Sequence, residues 1–311
     1  MPIKLLMKKD KLISGGLLFL ILLLVLTGAL LTFFSGFNEY RKIIRENNLL
    51  SVPVSPIPSL AIPSPTPTLT QQQILLITKA NDERNNQKYG PCKRVPVLMY
   101  HYTLPEKEAK QIKVEKLNVP VDVFRLQMDY LVQKDYQTIS INEMLEGIRN
   151  DSLPPKPVVL TFDDGYRSFY SYAYPILKDK NLKATLFVIS QYVDGERYVT
   201  WDQIKEMANS GIITIGDHTL NHPVLPKLTK EEEFNQIVSA KKVIEENAGT
   251  SVTVFAYPYG NANDNARQIL AENGFAGAVL ASNISSQCVG RPYDLSRIRI
   301  GAAQLSAYGI R

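Results

Sequence analysis

The sequence predicts an α/β domain, a parallel sheet with helices outside it, set behind an apolar span and a proline-rich linker. Three observations predict this. From Arg94 onward, short apolar runs alternate with helical patterns over about 210 residues. The residues able to do chemistry fall directly after apolar runs, at what would be the carboxyl ends of strands. The first 92 residues show no such alternation.

The strands read as runs rich in Val, Ile and Phe at 95–100, 157–162, 183–189, 212–215, 252–257 and 275–280. Helical patterns lie between them, at 121–134, 141–148, 166–178, 201–209, 229–246 and 264–272. In the first, Phe124, Met128 and Leu131 recur at helical spacing. Gly211, Gly249 and Gly274 follow three of these patterns, where a helix stop belongs. A sheet of this length can close into a barrel or stay open, and periodicity alone does not choose.

Ahead of this domain, residues 13–34 are almost wholly apolar, and no charge occurs between Leu12 and Asn38. As a helix the run is long enough to cross a hydrocarbon core of roughly 30 Å. It is too long for a signal-peptide core and is followed by no small-x-small cleavage site, so an uncleaved signal anchor is expected. Lys4, Lys8, Lys9 and Lys11 precede it and favour a cytoplasmic N-terminus. Six prolines among Ser and Thr at 51–70 favour polyproline II geometry. At about 3.1 Å per residue that stretch would reach roughly 60 Å. The expected organisation is a cytoplasmic tail (1–12), a transmembrane anchor (13–34), an extracytoplasmic stalk (35–92) and a folded domain (93–311), on a single-pass protein of the cell membrane.

Charge supports this division. The first 92 residues hold 10 Lys+Arg against 5 Asp+Glu, and residues 93–311 hold 25 of each. The net +5 therefore belongs to the anchor and stalk, and the neutral domain is unsuited to nucleic acid. Cys92 and Cys288 bracket the domain. They can form one disulfide outside the cell or stand as two unrelated thiols.

The chain has three histidines. His218 and His222 are four apart in Gly216-Asp217-His218-Thr219-Leu220-Asn221-His222-Pro223, where the flanking Gly and Pro favour a loop or single turn. His101 follows an apolar run, and Asp163-Asp164 ends another. Two imidazoles and a carboxylate make a catalytic divalent-metal set with an open position for water. Adjacent carboxylates diverge and do not easily share one ion, so one is expected to bind the metal and its neighbour to act as base. A zincin-type peptidase is disfavoured, because no Glu follows the first histidine of the pair.

Thr161-Phe162-Asp163-Asp164-Gly165, His218-Thr219-Leu220-Asn221-His222 and Phe255-Ala256-Tyr257-Pro258-Tyr259-Gly260 resemble the successive motifs of the polysaccharide deacetylases, the NodB-homology or carbohydrate esterase family 4 domain. The resemblance spans roughly residues 95–300. Val97-Leu98-Met99-Tyr100-His101 and Trp201-Asp202-Gln203-Ile204 further resemble the branch acting on poly-β-1,6-N-acetylglucosamine, whose motif order is circularly permuted.

The resemblance implies a distorted (β/α)7 barrel that removes N-acetyl groups from an N-acetylglucosamine polymer. It implies Asp164, His218 and His222 as ligands of one divalent ion, usually Zn2+ and in some members Co2+, Ni2+ or Fe2+. Asp163 would be the base, the backbone N–H of Tyr259 an oxyanion donor, and His101 the acid. Members commonly carry an Arg in the third motif, where Ala256-Tyr257 stands here; Arg297 is the candidate to replace it at Asp163. Tyr100, Tyr257 and Trp201 are candidates for the sugar groove, and Asp217 for a partner of a ligand histidine. The alternatives are an inactive anchored glycan-binding module and an O-acetyl esterase of the xylan type.

Overall fold

The computed structural model describes residues 70–283 and 286–311. The expected anchor and proline-rich segment lie outside these residues, and among the described residues no helix is long and apolar enough to cross a membrane. Leu69–Arg311 forms one compact unit.

The strands, in chain order, are β1 (Cys92–Arg94), β2 (Val97–Tyr100), β3 (Gln137–Thr138), β4 (Pro157–Phe162), β5 (Ala184–Val188), β6 (Ile213–Asp217), β7 (Val254–Ala256), β8 (Gly277–Val279), β9 (Ser286–Cys288) and β10 (Ile298–Arg299). The main sheet runs β10-β2-β4-β5-β6-β7-β8, all parallel, with β3 added beside β4. It forms a distorted half-barrel with helices on its outside. Its two ends are linked through one segment: Leu295 pairs with Val279 of β8, Asn283 donates to the Arg297 carbonyl, and Ile298 and Arg299 pair with β2.

Strand alternation sorts side chains into two cores. Residues of one parity (Val97 and Val159, with Phe187, Val254, Val279 and Leu295) fill the concave side, plugged from below by Ile141, Met144, Leu145 and Ile148 of the helix Ile141–Arg149. Residues of the other parity, such as Leu98, Tyr100, Leu160, Phe162 and Leu186, pack outward against the helices. The helix Val121–Gln133 contributes Phe124, Met128 and Leu131 there, as its spacing predicts.

Three elements differ from the sequence reading. The predicted helices at 166–178 and 229–246 are each interrupted by a π-helical stretch, Phe169–Ala173 and Asn235–Ser239. The expected stalk contains a helix, Gln71–Tyr89, opened by a Thr70 capping box with Gln73. This helix docks on the domain. Asn86 accepts from the Cys92 N–H, Arg94 pairs with Asp82 at 2.8 Å, and Gly290 donates to the Tyr89 carbonyl. The Cys92–Cys288 disulfide, one of the two alternatives the sequence leaves open, is present: it bridges the antiparallel pair β1 and β9 and closes a span of 196 residues.

Candidate metal and catalytic site

One rung above the concave core, the same strand parity delivers polar groups. Met99 and His101 continue the inward face of β2, Asp163 that of β4, His218 that of β6, and Arg297 that of the closing segment. They surround a cavity of about 650 Å³ at the carboxyl ends of the strands.

Backbone geometry departs from the ordinary at this point. Asp164, Thr219, His222 and Tyr259 all have φ between 59° and 72°. Each such residue costs on the order of 1–3 kcal/mol and must be held by its surroundings. At Asp164 the left-handed turn, continued by Gly165 at φ 73°, swings the second carboxylate back into the cavity beside the first. Gly165 cannot be replaced easily, because a Cβ there would also press on Val188 at 3.0 Å. The Thr219 N–H donates to Asp217 Oδ1 at 2.7 Å and the His222 N–H to Thr219 Oγ1 at 2.9 Å. These bonds fold the His-x-x-x-His segment as a loop.

Asp164, His218 and His222 converge so that one ligand atom from each lies within 4.8 Å of the others. Asp164 Oδ1 is 3.4 Å from His218 Nε2 and 3.6 Å from His222 Nε2. Bonds of about 2.0–2.1 Å to a tetrahedral ion would place donor atoms roughly 3.3 Å apart, so the three residues fit one divalent ion. His218 Nδ1 is 2.7 Å from the Ala256 carbonyl, an acceptor only. Nδ1 therefore donates to that carbonyl, and Nε2 is the ring nitrogen turned toward Asp164 and able to bind an ion once it is deprotonated. The role considered for Asp217 as a partner of that ring is thus filled by a backbone carbonyl. Asp217 points outward beneath the helices, and burial pushes its carboxyl well above the usual range.

Asp163 lies apart from this triad in chemistry. Arg297 grips it with both arms, Nη1 to Oδ1 at 2.6 Å and Nη2 to Oδ2 at 2.8 Å. Arg297 also donates to the Leu280 carbonyl and to Thr161 Oγ1, so a guanidinium only 1% exposed is almost fully satisfied. Burial alone would raise the Asp163 carboxyl; Arg297, and then His218, outweigh it and hold the group well below the usual carboxylate range. His101 Nε2 stands 4.0 Å from Asp163 Oδ2, and burial pushes its imidazole below the ordinary value against the pull of both aspartates. On the opposite side, the Tyr259 ring meets His222 edge-on at 4.6 Å, and Tyr259 is mostly exposed.

The expected groove residues fall differently. Tyr100 does not line the cavity. It has the outward parity of β2, stacks on Phe162 at 5.0 Å and donates to Gln127 in the core. Trp201 starts the helix Trp201–Asn209, packs against the outer core and is absent from the cavity wall. Tyr257 borders the cavity, but its ring is buried against Phe255 on the outer side. The aromatic wall is instead Tyr166, Tyr192 and Tyr198, with rings 5.1–5.3 Å apart in sequence of contact. Tyr192 and Tyr198 sit on a short 3-10 turn and the loop after it, where no periodicity signals them, and Tyr166 opens the predicted helical pattern directly after the Asp-Asp-Gly turn.

Comparison with known proteins agrees with this geometry. A family model described as polysaccharide deacetylase matches residues 150–278. The "Putative polysaccharide deacetylase YxkH" of Bacillus subtilis (strain 168) is 32% identical over 219 residues, 70% of this chain and 75% of that protein. The chain belongs to the polysaccharide deacetylase family. With its N-deacetylase relatives, this makes it a hydrolase acting on carbon–nitrogen bonds. The poly-β-1,6-N-acetyl-D-glucosamine N-deacetylase of Escherichia coli (strain K12) is 27% identical over 202 residues, 51% of this chain and only 30% of that protein. Among solved structures, the Streptococcus pyogenes deacetylase PplD in complex with acetate superposes with TM-score 0.64 at 30% identity, covering 70% of this chain and 98% of that one. In this chain the cation beside Asp163 comes from Arg297, late in the chain.

Proposed function

We propose that this deacetylase removes N-acetyl groups from an N-acetylglucosamine polymer outside the cytoplasm. The observation that carries the reading is the separation of two carboxylates from one strand end. Asp164 faces two imidazoles, and Asp163 faces an arginine.

Each side chain then has a distinct task. A divalent ion, Zn2+ by its fit to an Asp-His-His set, would supply Lewis acidity to the acetamide carbonyl and acidify the attacking water. Asp163, kept ionised by Arg297, takes that water's proton as oxygen bonds to the carbonyl carbon. The backbone N–H of Tyr259 donates to the oxyanion. His101 protonates the departing nitrogen as the C–N bond breaks, and the products are acetate and an amino sugar. The aromatic wall suits the apolar faces of sugar rings.

Residues 13–34 are proposed to anchor the domain, with the disulfide consistent with an oxidising compartment. The test of activity is acetate release from N-acetylglucosamine oligomers by the metal-loaded protein. Activity should vanish with a chelator and return on metal addition. Acetate release that is indifferent to chelation would sink the proposal.

A further inference from the structure

The cavity contains one charged side chain that the proposed chemistry does not use. Arg297 and Arg299 share a strand face, since alternate residues point the same way. Arg297, at depth, is neutralised by Asp163. Arg299 lies one rung, roughly 6.6 Å, nearer the mouth. It is exposed and lines the cavity wall. Its backbone N–H is bound by Asn283 Oδ1, which fixes the strand. Among the described residues its guanidinium has no carboxylate within 4.0 Å. It pairs in register with Met99, two residues from His101, and its charge bears on that imidazole.

The placement raises a chemical question. The reaction turns a neutral acetamide into an amine that becomes a cation beside His101. An uncompensated guanidinium on the same side works against that product unless the substrate brings an anion of its own. The other cavity walls offer Tyr166, Tyr192, Tyr198 and Asn221, none of which carries charge at neutral pH.

We propose that Arg299 is a specificity residue that reads an anionic substituent, carboxylate or phosphate, carried by the glycan close to the acetamide that is cleaved. The inference rests on the deacetylase reading and narrows its substrate class from neutral to acidic N-acetylglucosamine polymers. A planar guanidinium can meet either anion with two parallel hydrogen bonds.

The test measures kcat/KM for acetate release by the metal-loaded protein on four oligomers of equal length. These are neutral N-acetylglucosamine, the same with a 6-O-phosphate, an oligomer with 3-O-lactyl carboxylates on alternate sugars, and its lactyl carboxamide. The wild-type protein should favour one anionic oligomer over its neutral counterpart by about fivefold, the upper end for a charge pair at an exposed rim. The preference should shrink as salt rises. Arg299→Gln should bring it to within about twofold, and Arg299→Lys should retain part of it. The favoured anion identifies the substituent. Equal rates on charged and neutral oligomers, or a preference that survives in Arg299→Gln, overturn the assignment of Arg299 alone. Acetate release from none of the four overturns the deacetylase reading and this one with it.

Discussion

Replacing Arg297 with Met should expose how the catalytic carboxylate is kept charged. Arg297 and Asp163 have side chains 1% and 4% exposed and share two hydrogen bonds of 2.6 and 2.8 Å. Methionine fills much of the volume but leaves Asp163 as a buried charge without its main partner. Breaking such a pair costs about 3–5 kcal/mol, a large share of a domain's typical 5–15 kcal/mol. Urea unfolding is the assay, on wild type, Arg297→Met, Asp163→Asn and the double variant. Asp163→Asn/Arg297→Met should be more stable than Arg297→Met alone, because the orphaned charge is gone. The pH dependence has a definite sign. In the wild type the Asp163 carboxyl is held low, so its contribution is present above the unfolded value of about 3.9 and is lost as pH falls through the folded value. Without Arg297 burial dominates, the carboxyl moves upward, and stability is instead lost as pH rises. The difference between wild type and Arg297→Met should therefore grow from pH 4 to pH 7. A cost below about 1 kcal/mol, additive with Asp163→Asn and flat in pH, would refute the reasoning.

Three further outcomes are expected. His101→Ala should lower kcat by about 10²–10⁴ at unchanged metal content, the range for a lost general acid; near-normal turnover would move that role elsewhere. Glu233 is fully buried with Oε2 unpartnered, and burial raises its carboxyl against the Asn263 hydrogen bond. A raised folded value means stability is full below the unfolded value and lost as pH rises, so Glu233→Gln should stabilise the protein by about 1 kcal/mol at pH 8 and by little at pH 4. Equal thermal midpoints at both pH values would argue against an ionised Glu233. Removing the disulfide with Cys92→Ser and Cys288→Ser frees a closure of 196 residues, worth about 5 kcal/mol in the chain-entropy account, read as a drop in the urea midpoint.

Much of the site was legible because it obeys strand order. The apolar run 157–162 is β4 as read, and Asp163 follows it where a parallel sheet presents its ligands. Arg297 could be nominated only from its place in the chain, and its two bonds to Asp163 depend on a closing segment, 295–299, too short and polar to look like a strand. Tyr100 belongs to the outward set by the same strand order. With His101 inward, period-two alternation sends Tyr100 outward to Phe124 and Phe162. Tyr192 and Tyr198 had no such signal, since their position follows from tertiary contacts of an irregular loop. The π-helical stretches were likewise hidden inside otherwise regular helical periods.

The division of labour between Asp163 and Asp164 is tested most directly by metal content per chain after dialysis, measured on Asp163→Asn and Asp164→Asn. The geometry predicts that Asp163→Asn retains one ion per chain and releases no acetate, whereas Asp164→Asn loses the ion. Loss of the ion from Asp163→Asn with retention in Asp164→Asn would contradict the account.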